Sequence, residues 1–308
     1  MADGFTFSGI IPANLLPFNP DFSIDEKNYR RHLSWLAGTS GVTGIVCNGH
    51  AAEVSSLTRE ERMTVAEAYI HAAAGRLPVV VQVGHNSLRE AQMLAAHASA
   101  IGSDAISAVP PHFFKVDSTE MLLDCLAEIS AAAPQMPLYY YHIPRLTAVH
   151  IDPLELLRQG AAKLPALHGM KYSDFTIFDL QACAELYGGR FNILFGSDEM
   201  LLSGLIGGAH GAVGTTYNFA LPLYARIFAA FKEGAISEAQ RLQSLSVQML
   251  RALNHYATAS TNLPPMKAMM KLVGLDCGPL RKPLPSLSGA QIDDLRKGMQ
   301  AIGFFNWG

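Results

Sequence analysis

The sequence has few cysteines, and their arrangement marks neither a metal centre nor a redox centre. Only four occur in 308 residues, at Cys47, Cys125, Cys183 and Cys277. No two of them form a CxxC pair, the spacing typical of zinc sites and thiol oxidoreductases. The pattern therefore predicts reduced thiols in a cytoplasmic protein.

Charge is also scarce, at 16% of the residues, and the net charge is only −3. Because there is no basic or acidic block, we expect no nucleic-acid partner and no membrane surface as partner. No apolar stretch reaches the roughly 18 residues that a membrane-spanning helix needs. The first ten residues lack a basic segment followed by an apolar run, so we expect no signal peptide.

Motifs for nucleotides and metals are missing as well. The chain contains neither GxGxxG nor GxxxxGK[ST], the glycine-rich patterns that bind phosphates. Its eleven histidines include no His-x-His or HxxxH pair, although barrel metallohydrolases usually carry His-x-His on their first strand. We therefore expect no metal and no organic cofactor. A metal-dependent barrel hydrolase is kept as an alternative from a different functional class.

What the sequence does have is a regular alternation of short apolar runs and helical patterns. Runs rich in Val, Ile and Tyr, such as VVVQV, are typical of strands that are buried on both faces. Eight strands are predicted, mostly about 30 residues apart. They are residues 9–13, 43–47, 79–83, 105–109, 138–141, 167–171, 193–195 and 211–214.

Helix starts between and after these strands are predicted from Ser, Thr or Asp followed three residues later by Glu or Gln. The pairs are Thr58 with Glu61, Ser87 with Glu90, Asp117 with Glu120, Asp152 with Glu155, Ser237 with Gln240 and Ser288 with Gln291. Eight strand–helix units predict an α/β fold, a (β/α)8 TIM barrel over residues 1–220. Residues 221–308 are expected to form a C-terminal helical extension packed on the barrel as part of the same unit. An open doubly wound sheet is the alternative.

Active sites of such barrels lie at the carboxyl ends of the strands. Lys171 ends the sixth predicted strand, and lysine is uncommon in buried strands. Desolvation there would lower its pKa and leave more of the neutral amine that attacks a carbonyl group. The alternative is a lysine that ends the strand and extends into solvent. Tyr141, at the end of the neighbouring strand, is suited to moving a proton beside an iminium group.

Several segments carry a family resemblance. They are YYYHIPRLTAV at strand 5, GMKYSDFTIFD at strand 6, LFGSDEMLLSGLIGGAHGAVGTTYN at strands 7 and 8, LLPF near the start and LTREER in the second helix. Together they resemble the dihydrodipicolinate synthase and N-acetylneuraminate lyase family of class I Schiff-base aldolases, closest to its N-acetylneuraminate lyase branch. The resemblance runs nearly end to end and implies a lyase acting on a 2-keto acid, with pyruvate as the common fragment and a sugar-acid-like partner.

The resemblance also implies roles for individual residues. By position, Lys171 is the Schiff-base lysine and Tyr141 the proton shuttle. Backbone N–H groups of Gly49, His50 and Ala51 hold the pyruvate carboxylate. The residues implied to line the rest of the substrate are Ser173, Gly196, Asp198, Glu199 and Thr215. An alternative for the two acidic residues is that they begin a helix, where negative charge is favoured.

The sequence departs from the family pattern in the proton relay. The loop that usually reads Gly-Ser/Thr-Thr-Gly-Glu is GHAAE here, residues 49–53, so that two hydroxyl groups are lost. A tyrosine that a neighbouring subunit usually inserts is replaced by Phe113. We expect His50, or a water that it holds, to replace the lost hydroxyls as a catalytic group, because histidine titrates near neutral pH.

The substrate and the assembly stay open at this point. The arginine that binds the aldehyde carboxylate in dihydrodipicolinate synthases falls at Leu146, with Arg145 one place earlier, which makes that activity the weaker alternative. A 2-keto-3-deoxy sugar acid dehydratase would start from the same imine, and a catalytically silent binding protein is a further possibility. The resemblance implies a homotetramer with Phe113 at a subunit interface. The expected partners are small molecules, a 2-keto acid with an aldehyde or sugar acid.

Overall fold

A parallel barrel forms the centre of the protein, seen in a computed structural model that describes residues 6–307. Its strands are β1 Gly9–Pro12, β2 Ile45–Cys47, β3 Val79–Gln82, β4 Ala105–Ala108, β5 Leu138–His142, β6 Leu167–Tyr172, β7 Asn192–Phe195 and β8 Gly211–Gly214. They pair in the order β1-β8-β7-β6-β5-β4-β3-β2, every pair parallel. Two isolated parallel bridges, Ile10 with Val42 and Ala13 with Val46, bring the barrel close to closure. The TIM-barrel prediction is confirmed, and the open-sheet alternative is wrong.

Helices surround the strands and continue after them. Those between strands are α1 Glu26–Gly38, α2 Arg59–Ala73, α3 Leu88–Ala100, α4 Thr119–Ala131, the single turn α5 Pro144–Thr147, α6 Pro153–Lys163, α7 Ile177–Glu185 and α8 Leu201–Ile206. After β8 follow α9 Tyr217–Lys232, α10 Ile236–Asn254, α11 Leu263–Leu272 and α12 Gly289–Ala301. Within residues 6–307, no helix combines the length and the apolar character needed to cross a membrane.

Local capping explains where several helices begin. Thr58 and Ser288 form the predicted capping boxes of α2 and α12, in which side chain and backbone bond reciprocally across the first turn. Ser87 and Asp152 accept hydrogen bonds from first-turn N–H groups of α3 and α6. These four helix starts were readable because a capping side chain satisfies backbone donors that the helix itself cannot.

Two predicted helix starts are wrong. The cap of α4 is Ser118, whose side chain accepts a first-turn N–H, so the predicted Asp117 lies one residue before it. Helix α10 begins at Ile236 without a side-chain cap, and the predicted Ser237 lies inside the helix. There the chain turns tightly at Gly234, which has a φ of 73° and accepts a hydrogen bond from Ile236 N–H at 2.9 Å. The helix therefore begins directly after this turn, before Ser237.

The amino-terminal end of the barrel is tied together by a polar network. Asn192 of β7 accepts a hydrogen bond from the Tyr139 hydroxyl at 2.8 Å. The same amide group bonds the backbone of Phe7 twice, accepting from its N–H at 3.1 Å and donating to its carbonyl at 2.9 Å. Because buried polar groups must be paired, this network fixes the chain before β1 to β5 and β7.

A buried arginine fixes the opposite ends of β2 and β3. Arg62 of α2 donates to the carbonyl oxygens of Gln82 at 2.8 Å and Gly84 at 3.3 Å, and its own carbonyl accepts from Asn48 at 2.8 Å. Burial lowers the pKa of Arg62 to about 10, so the guanidinium stays charged at neutral pH. The loop that follows β2 is thereby anchored at its start.

A buried ion pair anchors the other end of that loop. The Glu53 carboxylate lies 2.7 Å from Nζ of Lys267 in α11, with side chains 0% and 4% exposed. Glu53 also accepts from the N–H of Arg281 at 2.8 Å, while Lys267 donates to the carbonyl of Pro279 at 2.8 Å. Burial lowers the pKa of Lys267 from its ordinary value, against the opposing effect of Glu53. The loop of residues 49–53 is thus held between α2 and the C-terminal helices.

Candidate active site

A cavity of about 750 Å³ opens at the carboxyl ends of the strands. Nine of the ten predicted site residues line it: His50, Ala51, Tyr141, Lys171, Ser173, Gly196, Asp198, Glu199 and Thr215. The exception is Gly49, which precedes the lining turn and does not face the cavity. The barrel topology therefore brings the predicted residues together from five separate places in the sequence.

Lys171 and Tyr141 are register partners in β6 and β5. Nζ of Lys171 lies 4.1 Å from the centroid of the Tyr141 ring, within cation–π range. Lys171 is half-buried, less enclosed than its place in an apolar run indicated, because the cavity opens above it. Tyr141 is buried, and its hydroxyl makes no hydrogen bond to any residue of 6–307, so it is available to a ligand.

The glycine after β7 allows this arrangement. A Cβ atom at Gly196 would overlap the Ser173 hydroxyl and lie 3.1 Å from Cε of Lys171. Oγ of Ser173 is buried and lacks a hydrogen-bond partner within the described chain. An unpaired buried hydroxyl costs about 1–3 kcal/mol, so Ser173 is a candidate to bind a substrate group that pairs with it.

His50 begins a short 3-10 turn, His50–Ala52, that follows β2. Its Nε2 lies 3.0 Å from Oγ1 of Thr261, which belongs to the loop after α10. Burial, reinforced by the positive charges of Lys171 and Arg145, lowers the pKa of His50 to about 4. The imidazole is therefore neutral at pH 7, and the expectation that it titrates near neutral pH is wrong.

The same turn presents two backbone donors. The N–H groups of Ala52 and Glu53 bond back to the carbonyls of Gly49 at 3.1 Å and His50 at 3.0 Å. Those of His50 and Ala51, at the start of the turn, make no hydrogen bond within residues 6–307, as is general for the first donors of a helix. Two unpaired N–H groups beside a lysine form a suitable site for a carboxylate.

The adjacent acids after β7 have different environments. The Asp198 carboxylate is buried and accepts from Thr216 twice, from its N–H at 2.9 Å and its hydroxyl at 2.5 Å. Burial raises the pKa of Asp198 to about 6. Glu199 is partly exposed and has no hydrogen bond or ion pair with the described residues. Asp198 thus fixes the start of α9, whereas Glu199 is available to accept hydrogen bonds from a ligand.

One wall of the cavity was missed from the sequence. Arg251 and Asn254 of α10, together with residues 257–262 of the following loop, line the side that faces the barrel, and Arg145 lines the rim beside Leu146. Helix α10 is fixed there by Gln243, which donates to the Asp198 carbonyl at 3.2 Å and accepts from the N–H of Leu202 at 2.9 Å. The only hint in the sequence is the hydroxyl-rich run of residues 258–261.

The remaining histidines at strand ends do not converge. His85 and His112 bond within the loops after β3 and β4, and His142 is buried and stacked on Tyr172 with ring centroids 5.1 Å apart. Across the described residues, no three His, Cys, Asp or Glu side chains are grouped as metal ligands would be. Of the strand-end histidines, His50 is the one that the cavity brings beside Lys171.

Comparisons with known proteins agree with this geometry. The sequence matches the model of the Dihydrodipicolinate synthetase family over residues 6–302. It is 37% identical over 286 residues to N-acetylneuraminate lyase of Xenopus tropicalis, covering 92% of each chain. The solved structure of Proteus mirabilis N-acetylneuraminate lyase has a TM-score of 0.92 and 31% identity, covering 97% of this chain and 100% of that one. A Ruminococcus gnavus sialic acid aldolase, described as a catalytic lysine mutant, has a TM-score of 0.89 and 28% identity, covering 96% and 95%. The chain belongs to the Dihydrodipicolinate synthetase family.

Proposed function

We propose that the protein is a Schiff-base-forming lyase of the class I aldolase type, acting on a 2-keto acid with pyruvate as the common fragment. The observation that carries the proposal is the amine of Lys171 at the cavity, 4.1 Å from the ring of Tyr141. Family membership supports it, and so does the related sialic acid aldolase that is described by its catalytic lysine.

The residues are suited to the steps of such a reaction. The amine of Lys171 attacks the keto carbon, and loss of water leaves an iminium ion. When the carbon–carbon bond of the substrate breaks, its electron pair moves into the iminium, and the departing fragment becomes an aldehyde as its hydroxyl loses a proton. The Tyr141 oxygen accepts that proton as it passes its own hydroxyl proton to the carboxylate of the bound keto acid, and the reverse transfer later delivers a proton to the pyruvyl carbon. Water then releases pyruvate from Lys171.

The cavity also supports a partner that carries hydroxyl groups. The N–H groups of His50 and Ala51 would hold the carboxylate of the keto acid. Glu199 lines the cavity and makes no hydrogen bond or ion pair with residues 6–307. The buried Oγ of Ser173, also at the cavity, has no hydrogen-bond partner in that range. They would bond substrate hydroxyls, Glu199 as acceptor and Ser173 as donor, with Thr215 at the rim. We therefore propose a sugar acid as the substrate, as in the relatives named N-acetylneuraminate lyase.

Arg145 favours a second candidate. Its guanidinium lines the cavity, makes no ion pair with the described residues, and lies 5.8 Å from the ring of Phe175. An unpaired guanidinium suits an aldehyde that carries a carboxylate, as the dihydrodipicolinate synthase reaction uses. A 2-keto-3-deoxy sugar acid dehydratase shares the imine and differs in losing a hydroxyl group. These alternatives differ in their second substrate and share Lys171.

Borohydride trapping tests the proposal. The full chain is incubated with pyruvate and sodium borohydride, and its mass is measured before and after digestion. We expect one reduced pyruvyl adduct on Lys171, lost in Lys171→Ala and retained in Lys163→Ala, which changes an exposed lysine of α6. Absence of the adduct in the intact protein would refute the proposal and favour a binding protein. Trials with sugar acids and carboxylate-bearing aldehydes then identify the second substrate.

We further propose a homotetramer located in the cytoplasm. Phe113 and Phe114, adjacent in the loop after β4, are 77% and 85% exposed, and such a pair of apolar rings is suited to a subunit interface. The four cysteines are free thiols and buried, which fits a reducing compartment. Native mass spectrometry of the protein and of Phe113→Asp tests the assembly. A monomeric wild-type protein would contradict it.

A further inference from the structure

The hydroxyl group nearest to His50 comes from a distant part of the chain. Thr261 lies between α10 and α11, and its Oγ1 is 3.0 Å from Nε2 of His50. Thr261 is 8% exposed, so the contact is shielded from bulk water. The loop after β2 has no hydroxyl of its own at positions 50 and 51, where the family pattern carries two.

The direction of this hydrogen bond follows from counting donors. Oγ1 of Thr261 accepts a hydrogen bond from the N–H of Leu263 at 3.2 Å. The hydroxyl proton needs an acceptor, and within residues 6–307 the ring nitrogen of His50 is the one in reach. Thr261 therefore donates to Nε2. Because the imidazole is neutral, its single proton must then be on Nδ1.

The position of the donor is also fixed. The N–H of Thr261 donates to the Thr258 hydroxyl at 3.1 Å, and the N–H of Thr258 donates to the Thr261 carbonyl at 2.8 Å. This closed turn directly precedes α11, whose Lys267 is paired with Glu53 at the other end of the His50 loop. Thr261 and the loop that carries His50 are thus both anchored at α11.

The second ring nitrogen points to a use for this arrangement. Nδ1 of His50 has no hydrogen-bond partner in the described chain, yet it is not among the buried atoms that lack one. His50 lines the cavity together with Lys171 and Ala51. An N–H group at Nδ1 would therefore be presented to the cavity, beside the backbone donors of the turn.

We propose that Thr261 is a positioning residue that holds His50 as its Nδ1–H tautomer, so that this N–H donates to the carboxylate of the bound 2-keto acid. The proposal deepens the Schiff-base lyase function and rests on it. A neutral imidazole N–H then replaces the side-chain donors that the family loop supplies. The segment between α10 and α11 orients the His50 ring. Loss of this N–H should therefore weaken carboxylate binding more than it slows bond cleavage.

The first experiment reads the tautomer directly. The intact protein is labelled with [15N]histidine, and proton–nitrogen correlation spectra are recorded at pH 7, with His50 assigned from its loss in His50→Phe. We expect a single Nδ1–H tautomer in the wild type and in Thr261→Ser, and its loss in Thr261→Val. Ser244→Ala, which removes an exposed hydroxyl of α10 that donates to the Gln240 carbonyl, should leave the spectrum unchanged. An Nε2–H tautomer in the wild type would overturn the proposal.

The second experiment reads the consequence for binding. Thr261→Val should raise KM for pyruvate about 10- to 100-fold, the effect of losing one hydrogen bond to a charged group, with a much smaller change in kcat. Thr261→Ser should restore KM. In His50→Phe, adding Thr261→Val should cause no further loss, since the two residues act through one interaction. Independent, additive losses would overturn the proposal.

The two proposals fail in different ways. If the wild type gives no borohydride adduct, the lyase function is refuted, and with it the carboxylate role of His50. If it gives the adduct but His50 is the Nε2–H tautomer, only the role of Thr261 is refuted. Should Thr261→Val fail to fold, the wild-type spectrum and the Thr261→Ser kinetics still decide the question.

Discussion

Gly196 lies directly against Ser173 and against Lys171, the residue proposed to form the imine. A Cβ atom there would overlap Oγ of Ser173, and it would lie 3.0 Å from Cβ of Ser173 and 3.1 Å from Cε of Lys171. The backbone has little freedom to retreat, because Gly196 N–H donates to the Tyr172 carbonyl and Ser173 N–H to the His142 carbonyl, each at 2.8 Å. Gly196→Ala must therefore turn the Ser173 hydroxyl away and shift Lys171 by a few tenths of an ångström.

The size of the effect follows from this geometry. Overpacking by one methyl group costs about 1–3 kcal/mol of unfolding free energy. A displacement of an attacking atom by about 1 Å reduces a reaction rate on the order of 100-fold, because the atom leaves its productive position. The smaller shift of Lys171 should therefore slow imine formation by roughly 3- to 10-fold, in addition to the loss of stability.

The assay combines urea unfolding with the rate of borohydride trapping at a fixed pyruvate concentration. Gly298→Ala is the matched control, because nothing lies within 4 Å of its added Cβ in α12. Alanine there should raise stability by about 0.5–1 kcal/mol and leave trapping unchanged. If Gly196→Ala unfolds and forms the imine like the wild type, the packing argument for the site is refuted.

Three other changes have expected outcomes. Glu53→Gln leaves Lys267 without its ion-pair partner in the interior, and should lower the free energy of unfolding in urea by about 3–5 kcal/mol. The double variant with Lys267→Met should lose less stability. An equal loss would contradict the ion-pair argument. Burial lowers the pKa of His32 to about 4, so the unfolded chain binds more protons and stability falls as the pH drops from about 6.5 to 4. His32→Leu should flatten that fall, by on the order of 3 kcal/mol in total, and an unchanged pH profile would count against it. Ser173→Ala removes an unpaired buried hydroxyl, so stability should change by less than about 1 kcal/mol while KM for the complete substrate rises about 10-fold; an unchanged KM would place Ser173 outside the binding site.

Strand positions were predictable because burial on both faces leaves a strong local pattern. β8 was predicted to the residue, and β6 extends only one residue beyond its predicted end, to Tyr172. The pairing of Lys171 with Tyr141 followed from the same logic, since the carboxyl ends of neighbouring parallel strands lie side by side. Periodicity and parallel order thus place the reactive pair without knowledge of any contact.

What the sequence did not indicate depends on contacts between distant segments. Arg251 and Thr261 enter the site because α10 crosses the mouth of the barrel, and no local pattern specifies that path. The pKa of His50 was misjudged for the same reason, because the groups that act on it come from distant segments, Thr261 through a hydrogen bond and Lys171 and Arg145 through their charges. Sequence periodicity describes the elements, whereas the environment of a titrating group is a property of their assembly.

The ion pair of Glu53 with Lys267 has a consequence for how such an enzyme changes specificity. The loop proposed to bind the keto-acid carboxylate is attached to α11, and the cavity wall formed by residues 257–262 directly precedes that same helix. A segment from α10 to α11 grafted from a relative would therefore import both a new wall and the support of the donor loop. We therefore expect substrate preference to transfer with that segment, while the strands that carry Lys171 and Tyr141 stay unchanged.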